Sequence, residues 1–275
     1  MSIIDIQKVN FRYPEDAEDC LVLRDIQLSI NEGEFVCIIG ANSSGKSTLG
    51  RLMNALYIPE HGSVRINGLL TSDIANVVPI RKTVGMIFQN PDNQIVATTV
   101  EEEVAFGPEN LCLPSIEIRQ RVDESLSLTG LSEYSQTPPH LLSGGQKQLL
   151  AIASILAMKP SCIVFDEPTS LLDPKSRAMV IQKIVELNQQ GITIVLITHR
   201  MEEVLLSHRV LVLFQGKIVQ DLSPQELFHM DEKELQRMSL YPPEIIKIVS
   251  RLKSKGCEIP KNVIDAKSLV NHLCP

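Results

Sequence analysis

Gly40-Ala41-Asn42-Ser43-Ser44-Gly45-Lys46-Ser47-Thr48 is the stretch that decides the fold. It follows the apolar run Phe35 to Ile39 and leads into apolar positions of helical spacing from Leu49 to Leu56. A strand, a glycine-rich loop and a helix in this order are the required context of a phosphate-binding P-loop. Backbone N–H groups of such a loop and of the helix N-terminus favour an anion. A turn that merely joined a strand to a helix would not require the Lys-Ser pair.

The residue types of this loop each have a chemical use. The ammonium group of Lys46 can reach the outer phosphates of a nucleotide, and the hydroxyl of Ser47 can ligate Mg²⁺. We therefore expect ATP and Mg²⁺ as ligands. The residues predicted to bind the nucleotide here are Asn42, Ser43, Ser44, Gly45, Lys46, Ser47 and Thr48.

Short runs rich in valine and isoleucine recur between longer segments of helical spacing, which is typical of buried parallel strands in an α/β protein. Besides Phe35 to Ile39, these runs are Val84 to Phe88, Ile163 to Phe165, Ile192 to Ile197 and Val210 to Phe214. The first thirty residues instead alternate apolar and polar positions, from Ile4 to Ile30. This alternation predicts antiparallel strands in an edge subdomain.

Two regions carry helical patterns without strand signals. Between about residues 90 and 136, segments such as Ile116 to Leu128 repeat apolar residues at helical spacing, so we expect a helical insertion. Beyond Gly216, the sequence predicts a small helical appendage. One of its helices would end at Gly256, and another would span Val263 to Leu273.

The segment Cys162-Ile-Val-Phe-Asp166-Glu167 is an apolar strand that ends in two adjacent carboxylates. After a P-loop, this pattern predicts a Walker B strand. Asp166 can hold Mg²⁺ through water, and Glu167 can orient and polarise the attacking water. Two acids after a strand could also be a solvated strand end or a helix N-cap, an alternative that the P-loop makes the poorer one.

A second loop suited to phosphate precedes the helical pattern from Gln148 to Met158: Leu142, Ser143, Gly144, Gly145 and Gln146. Its glycines let backbone N–H groups approach a phosphate, and Ser143 adds a hydroxyl at a helix N-terminus. The P-loop already surrounds much of one γ-phosphate, so a second anion-binding helix start indicates a second chain facing the first. The plainer alternative is a capped helix after a flexible loop.

Three single residues complete the candidate site. Gln89 follows a predicted strand and could contact Mg²⁺ and the lytic water, although it could also be an ordinary polar residue at a strand end. His199 could hydrogen-bond the γ-phosphate, although a lone histidine is more often on the surface or satisfied in a core. Tyr13 could stack on adenine, although an aromatic residue before Pro14 ordinarily packs in the protein.

Composition excludes several classes of function. The formal net charge is −7, which argues against nucleic acid as a partner because phosphate backbones require a basic face. The six cysteines are far apart and predict neither a zinc site nor a disulfide framework. The N-terminus lacks the pattern of a signal peptide, and the apolar runs are too short to span a bilayer, so we expect a cytoplasmic protein.

Six motifs in this order resemble the nucleotide-binding domain of ABC ATPases: GANSSGKST, FQNPDNQ, LSGGQ, IVFDEP, SLLD and ITH. The resemblance covers about residues 1–220, as a nucleotide-binding domain, and leaves 221–275 as a C-terminal helical extension. Within the superfamily, four segments resemble the ATPase subunits of energy-coupling factor importers: Phe11 to Pro14, Phe88 to Gln94, Ala97 to Asn110 and Pro139 to Gln146. The sequence from Ile95 to Asn110 is most similar to the first, CbiO-like, of their two paralogous ATPases.

The resemblance implies a set of partners. Such importers pair two ATPases, as a hetero- or homodimer, with a transmembrane coupling protein and a substrate-binding membrane protein, usually for a vitamin or a transition metal ion. This chain would then lie at the cytoplasmic face of the membrane. The segment Pro91 to Pro108 would help to form the groove for the coupling protein, and the C-terminal extension would help to hold the two ATPases together.

The resemblance also implies residue roles and two departures. Tyr13 would be the adenine-stacking residue, Gln89 the Q-loop glutamine, Asp173 the D-loop aspartate and His199 the switch histidine. Ser43 stands where the family usually has glycine, and Leu149 stands where it usually has arginine.

Alternative functions remain compatible with the motifs. They are the ATPase of another ABC importer, an ATP-binding assembly subunit with little hydrolysis, and a soluble ABC protein of DNA repair or translation. The last class typically has a long coiled-coil insertion or two cassettes in one chain, which this sequence lacks.

Overall fold

A computed structural model describes residues 2–14, 20–257, 259–260, 263 and 266–273. The strands are β1 (Ser2–Phe11), β2 (Leu23–Asn31), β3 (Phe35–Ile39), β4 (His61–Ile66), β5 (Leu69–Leu70), β6 (Val84–Ile87), β7 (Cys162–Asp166), β8 (Thr193–Ile197), β9 (Arg209–Phe214) and β10 (Lys217–Leu222). The α-helices are α1 (Lys46–Met53), α2 (Val77–Thr83), α3 (Val100–Asn110), α4 (Ser115–Thr129), α5 (Gly144–Leu156), α6 (Pro174–Gln189), α7 (Met201–Val204), α8 (Pro224–His229), α9 (Glu232–Arg237), α10 (Glu244–Ser254) and α11 (Ala266–Leu273).

The central sheet has the strand order β10-β9-β3-β8-β7-β6. Strands β9, β3, β8, β7 and β6 are parallel, as the five valine- and isoleucine-rich runs predict. Every residue of β3, β7 and β8 is buried, which explains why these strands have no polar alternation. Because the strands are parallel, their carboxyl ends meet at one edge of the sheet, where ligands of such folds bind.

Strand β10 was not predicted from the sequence. It pairs antiparallel with β9 through a tight turn at Gln215 and Gly216, whose φ angles of 49° and 77° are both left-handed. That geometry belongs to two-residue hairpin turns, in which glycine is favoured. The Gln-Gly pair was therefore the signal that could have revealed the hairpin. Strand β10 is short and alternates exposed with half-buried positions, so it lacks the continuous apolar run of the other strands of this sheet.

The antiparallel subdomain is confirmed as a second sheet with the order β2-β1-β4-β5. Its inner face packs on α1 and on one face of the central sheet in a shared core that includes Ile4, Ile6, Leu49 and Ile38. Helices α3 to α6 cover the opposite face of the central sheet in a second core. Helices α3 and α4 lie within the predicted helical insertion.

The C-terminal region contains the predicted helices. Helix α10 packs through Ile246 on α8 and α9, and Gly256, with a left-handed φ of 91°, follows it. Helix α11 begins at Ala266, later than predicted, and residues 264–265 lie outside the described part. In the described part of the chain, no helix is both long and apolar enough to cross a membrane. The described cysteines are free, and Cys274 lies outside that part.

Candidate nucleotide site

The loops that follow β3, β6, β7 and β8 line one cavity of about 740 Å³. These four strands are neighbours in the sheet, so sequence-distant loops meet at its carboxyl edge. The cavity is lined by Tyr13, Val22, Asn42, Ser43, Ser44, Gly45, Lys46, Ser47, Thr48, Gln89, Glu167 and His199. The structure thus brings together the seven P-loop residues predicted to bind the nucleotide, 42–48, and the three single residues. Val22 was not predicted, and its apolar position before β2 carried no signal of a ligand.

The backbone of the P-loop depends on glycine at two positions. Gly40 has a φ of 152°, and a Cβ atom there would lie 2.0 Å from the carbonyl oxygen of Leu213. Gly45 has a φ of 102°, and its Cβ atom would lie 2.7 Å from a methyl group of Leu23. Ser43 has a left-handed φ of 61°, so the serine adopts the conformation that the usual glycine would favour.

Helix α1 begins directly after this loop. Its N-cap residue is Gly45, and no described side chain caps it. Its first N–H groups are therefore available to an anion in the cavity. The hydroxyl of Ser44 is buried and has no partner in the described part of the chain. A buried hydroxyl without a partner is costly, so both features fit phosphate oxygens as the missing acceptors.

Lys46 lies along the loop and is 6% exposed. Its Nζ donates hydrogen bonds to the carbonyl oxygens of Gly40, at 2.9 Å, and Ala41, at 2.8 Å. Burial lowers the pKa of Lys46, while the charges of Glu167 and Asp166 raise it. The two carboxylates thus favour the charged ammonium form that a triphosphate requires.

Two of the three predicted metal ligands, Ser47 and Asp166, meet at the start of α1, whereas the third, Gln89, contacts Glu167 and Ser170. The hydroxyl of Ser47 donates a hydrogen bond of 2.8 Å to Oδ1 of Asp166. Burial raises the pKa of Asp166, and the hydrogen bond from Ser47 opposes that shift. Among the described residues, no group of three or more His, Cys, Asp or Glu side chains could hold a metal by itself. A hydroxyl and a carboxylate nevertheless fit Mg²⁺, which takes its remaining ligands from phosphates and water.

Glu167 is the point at which the other loops converge. Its φ of 49° is left-handed, and its N–H donates to the carbonyl of Ile197 in the neighbouring strand β8. Oε2 of Glu167 lies 3.1 Å from Nδ1 of His199 and 3.5 Å from Nε2 of Gln89. Gln89 also donates to the hydroxyl of Ser170 at 3.1 Å. One carboxylate thus meets both single residues predicted to act with it.

Tyr13 is held by packing as well as by a hydrogen bond. Its ring meets the rings of Phe11 and Tyr57 edge-on, with centroids 5.2 Å and 5.6 Å away. Its hydroxyl shares a hydrogen bond of 2.7 Å with Oγ1 of Thr48. Tyr13 therefore packs in the protein, as the plainer alternative predicts, and its ring also lines the cavity. Stacking on adenine stays a prediction.

The second predicted loop lies elsewhere. Ser143 caps α5, accepts a hydrogen bond from the N–H of Gln146, and donates its own N–H to the side chain of Gln146. Ser143 and Gly144 are exposed, and the cavity-lining residues of the described chain include neither. A capped helix start is thus present, and in the described part of the chain it lies away from the P-loop cavity.

The start of α6 packs against this loop. A Cβ atom on Gly145 would lie 2.7 Å from the side chain of Ser176, so the glycine permits close packing of α5 on α6. Asp173 caps α6 by accepting from the N–H groups of Lys175 and Ser176. Leu149, which replaces the usual arginine, is 4% exposed in the core beneath these helices. Apolar packing therefore occupies the place of a charged side chain.

Sequence comparison shows the family of the chain. A model described as ABC transporter matches residues 23–170, more than half of the chain. The energy-coupling factor transporter ATP-binding protein EcfA1 of Caldanaerobacter subterraneus subsp. tengcongensis is 48% identical over 274 residues, or 99% of both chains. EcfA of Methanosarcina acetivorans is 42% identical over 273 residues, which cover 99% of this chain and 98% of its own.

Solved structures confirm the predicted fold class. CbiO1 of Clostridium perfringens, described as part of the ABC transporter complex cbiONQ, has a TM-score of 0.77 and 32% identity, covering 90% of this chain and 99% of its own. A dimeric post-hydrolysis state of the cassette MJ0796, bound to ADP and Pi, has a TM-score of 0.73 and 31% identity, covering 80% and 98%. Similarity over nearly the whole length makes this chain a member of the ABC transporter family and, within it, an ATP-hydrolysing subunit of the energy-coupling factor transporters.

Proposed function

We propose that this chain binds Mg·ATP in the cavity at the carboxyl edge of its central sheet and hydrolyses it in a site completed by a facing ATPase. Closure and reopening of the pair would drive an importer of a vitamin or a transition metal ion. The observation that carries the proposal is the convergence of four loops on one cavity. The helix N-terminus at Ser143 is exposed and lies outside that cavity, so it would be free to meet the nucleotide of the facing ATPase.

The P-loop, residues 42–48, would surround the phosphates. The uncapped N–H groups of α1 and the unpartnered hydroxyl of Ser44 supply donors without prior partners. Lys46 would exchange its two carbonyl contacts for the outer phosphates. Tyr13, fixed by its ring neighbours and by Thr48, would stack on the adenine.

Ser47, Asp166 and Gln89 would hold Mg²⁺, which neutralises charge on the phosphates when bound. The Ser47–Asp166 hydrogen bond of 2.8 Å supports this set, because it keeps the two oxygens side by side at the start of α1. Burial favours the neutral form of Asp166, so a divalent cation would compensate its buried charge.

Glu167 would accept the proton of the attacking water. Its carboxylate faces the cavity, and His199 lies beside it at 3.1 Å, where the imidazole could hydrogen-bond the γ-phosphate. Gln89 contacts the same carboxylate and can orient the water between them. These contacts support a general base in a hydrolytic site and argue against an assembly subunit with little hydrolysis.

The facing chain would supply Ser143, Gly144, Gly145 and Gln146, with Asp173 at the contact between chains. Ser143 and Gly144 are exposed at the N-terminus of a helix, which suits a γ-phosphate bound by another chain. Either a paralogue or a second copy of this chain could be that partner.

An apolar groove of about 420 Å³ would receive the coupling protein. Its lining includes Leu56, Val78, Phe88 and Phe106, and Val78 and Phe106 are 63% and 51% exposed. Phe106 lies within the predicted coupling segment Pro91 to Pro108, and Phe88 directly precedes Gln89. A large exposed apolar patch marks an interaction site, and this one adjoins the loop that contacts Glu167.

The division into residues 1–220 and 221–275 is part of this proposal. Helices α8, α9 and α10 pack on β9 and α7 in a third apolar cluster, separate from the two on the faces of the central sheet, which supports a C-terminal extension. Holding the two ATPases together would be its function, and stabilisation of the core is the simpler alternative.

The test is to purify the chain from membranes and identify its partners. We expect a second ATPase, a transmembrane coupling protein and a substrate-binding membrane protein, with the complex at the cytoplasmic face. ATP-driven uptake of a vitamin or metal ion by the reconstituted complex would identify the cargo. Recovery of a solitary monomer without membrane association would count against the proposal, and cargo of another class would indicate an ABC importer of another type.

A further inference from the structure

A buried carboxylate lies beneath the two loops that present Glu167 and His199. It belongs to Glu203 in the short helix α7, and the residue is 4% exposed. Glutamate is almost never fully buried unless it is paired. No motif in the sequence drew attention to this residue, and it is absent from the lining of the nucleotide cavity.

The partners of Glu203 are two buried threonines. Oε1 accepts a hydrogen bond of 2.5 Å from the hydroxyl of Thr169, and Oε2 accepts one of 2.6 Å from the hydroxyl of Thr198. Both distances lie in the range of charge-assisted O–H···O⁻ bonds. The threonines are 1% and 2% exposed, so water does not compete for these bonds.

The two threonines belong to different loops of the site. Thr169 is two residues beyond Glu167, after β7, whereas Thr198 directly precedes His199, after β8. One carboxylate therefore connects the loop of the proposed general base to the loop of the switch histidine. The side chains of Glu167 and His199, 3.1 Å apart, belong to the two loops that Glu203 joins.

The hydrogen bonds of the connection favour a carboxylate, which can accept from both threonines at once. Oγ1 of Thr198 accepts from the N–H of Arg200 at 3.0 Å, so its own proton is directed to Glu203. A glutamine side chain has one acceptor oxygen and one NH₂ donor. It could accept from only one threonine, and the hydroxyl of the other would have to turn away from its present donation and accept from the NH₂ group.

We propose that Glu203 is a positioning residue for ATP hydrolysis, which clamps the loop of Glu167 to the loop of His199 through Thr169 and Thr198. The proposal rests on the proposed function of those two residues. Glu203 itself does not line the nucleotide cavity. Its loss should therefore weaken catalysis and leave ATP binding to the P-loop intact.

The first test compares Glu203→Gln with Glu202→Gln, the same chemical change at the exposed neighbour. In the complex purified with its membrane partners, Glu203→Gln should lower kcat by about 10-fold or more, because small displacements of catalytic groups are costly. The KM for ATP should stay within about two-fold of the wild-type value, as expected when only transition-state interactions are lost. Glu202→Gln should change neither constant.

The second test uses the threonine. Thr169→Val removes the hydroxyl and should reproduce the loss of kcat, whereas Thr169→Ser retains the hydroxyl and should retain activity. The double variant Glu203→Gln/Thr169→Val should be no slower than the worse single variant, because the two residues act through one connection. Thr169→Val also provides the comparison should Glu203→Gln fail to fold.

A third measurement does not depend on activity. In a crystal structure of the Thr169→Val or Glu203→Gln protein, the distance between His199 and Glu167 should exceed the 3.1 Å of the wild type. An unchanged distance, a raised KM with normal kcat, or an equal loss in Glu202→Gln would overturn the proposal. A wild-type complex that does not hydrolyse ATP would instead contradict the proposed function, and the crystallographic distance would still decide the role of Glu203.

Discussion

The starts of α1 and α5 are both serine- and glycine-rich helix N-termini, yet they differ in capping and in what they face. Helix α1 has no side-chain cap within the described chain, and its first turn faces a cavity with Asp166 and Glu167 beside it. Helix α5 is capped by its own Ser143 and Gln146 and faces outward. One half of the proposed site is thus assembled within the chain, while the other half requires a partner. Binding and hydrolysis should therefore respond to different mutations.

The two helix starts also differ in how much their local structure lowers the stability of the folded protein. Two residues that line the cavity, Ser43 and Glu167, have left-handed backbones, and burial raises the pKa of Asp166, which lies beside the cavity. At the start of α5, Ser143 has an ordinary extended backbone and its polar groups are paired. Such costs concentrate at functional sites, where the surrounding structure maintains them.

Glu167→Gln should have the largest effect. Loss of the proposed general base should slow hydrolysis by roughly 100-fold or more. ATP affinity, measured by titration, should be unchanged because the P-loop is intact. Glu202→Gln controls for the loss of one negative charge. Normal hydrolysis by Glu167→Gln would exclude Glu167 as the base.

Ser143→Ala should come next, and it separates the two halves of the site. A hydrogen bond to a charged group contributes about 1.5 kcal/mol or more, so hydrolysis by the assembled complex should fall about 10-fold. ATP binding by the chain alone should not change.

Ser223→Ala is the matched control for Ser143→Ala, because Ser223 caps α8 through the same reciprocal arrangement with Glu226. Each substitution should lower the free energy of unfolding by about 1 kcal/mol. Only Ser143→Ala should impair hydrolysis. Equal activity of the two variants would contradict a role for Ser143 beyond capping.

Asp166→Asn should stabilise the nucleotide-free protein while it weakens Mg²⁺-dependent hydrolysis. The pKa of Asp166 is raised above its ordinary 3.8, so its ionised form disfavours folding at neutral pH. Removal of the buried charge should raise the free energy of unfolding by about 1 kcal/mol. The increase in the free energy of unfolding should be full at pH values above the raised pKa of Asp166 in the folded protein. It should vanish as the pH falls below 3.8, where Asp166 is neutral in the folded and in the unfolded protein.

Denaturant titrations of wild type and Asp166→Asn at neutral pH and near pH 4 would measure this difference. A variant less stable than wild type at neutral pH would show that the hydrogen bond from Ser47 outweighs the burial of charge.

Ser43→Gly should have the smallest effect. Glycine relieves the left-handed strain at φ 61° but adds freedom to the unfolded chain, which leaves a net gain of about 0.5 kcal/mol. Ser72→Gly is the control, because Ser72 is exposed and lies outside the left-handed region. Glycine relieves no strain there, so the Ser72→Gly protein should be less stable than the wild type. Calorimetry would measure both shifts. A destabilised Ser43→Gly would show that the serine side chain stabilises the loop.

The sequence determined which residues can do the chemistry. The P-loop, the Walker B carboxylates and the five parallel strands were predictable because each is specified by a local pattern of glycines, charges or apolar runs. The left-handed loop needs Gly40 and Gly45, and buried strands need uninterrupted valine and isoleucine. These requirements act within a few residues and are therefore visible in the primary structure.

Only the tertiary structure decided how those residues meet. The order of the central sheet brings Gln89, Glu167 and His199 together across more than a hundred positions of chain and leaves Ser143 outside. Glu203 gave no local signal, since its two partners lie on other loops and its burial depends on the packing of α7. Hydrogen bonds between distant segments form only when the whole sheet is in place, and no short stretch of sequence contains them.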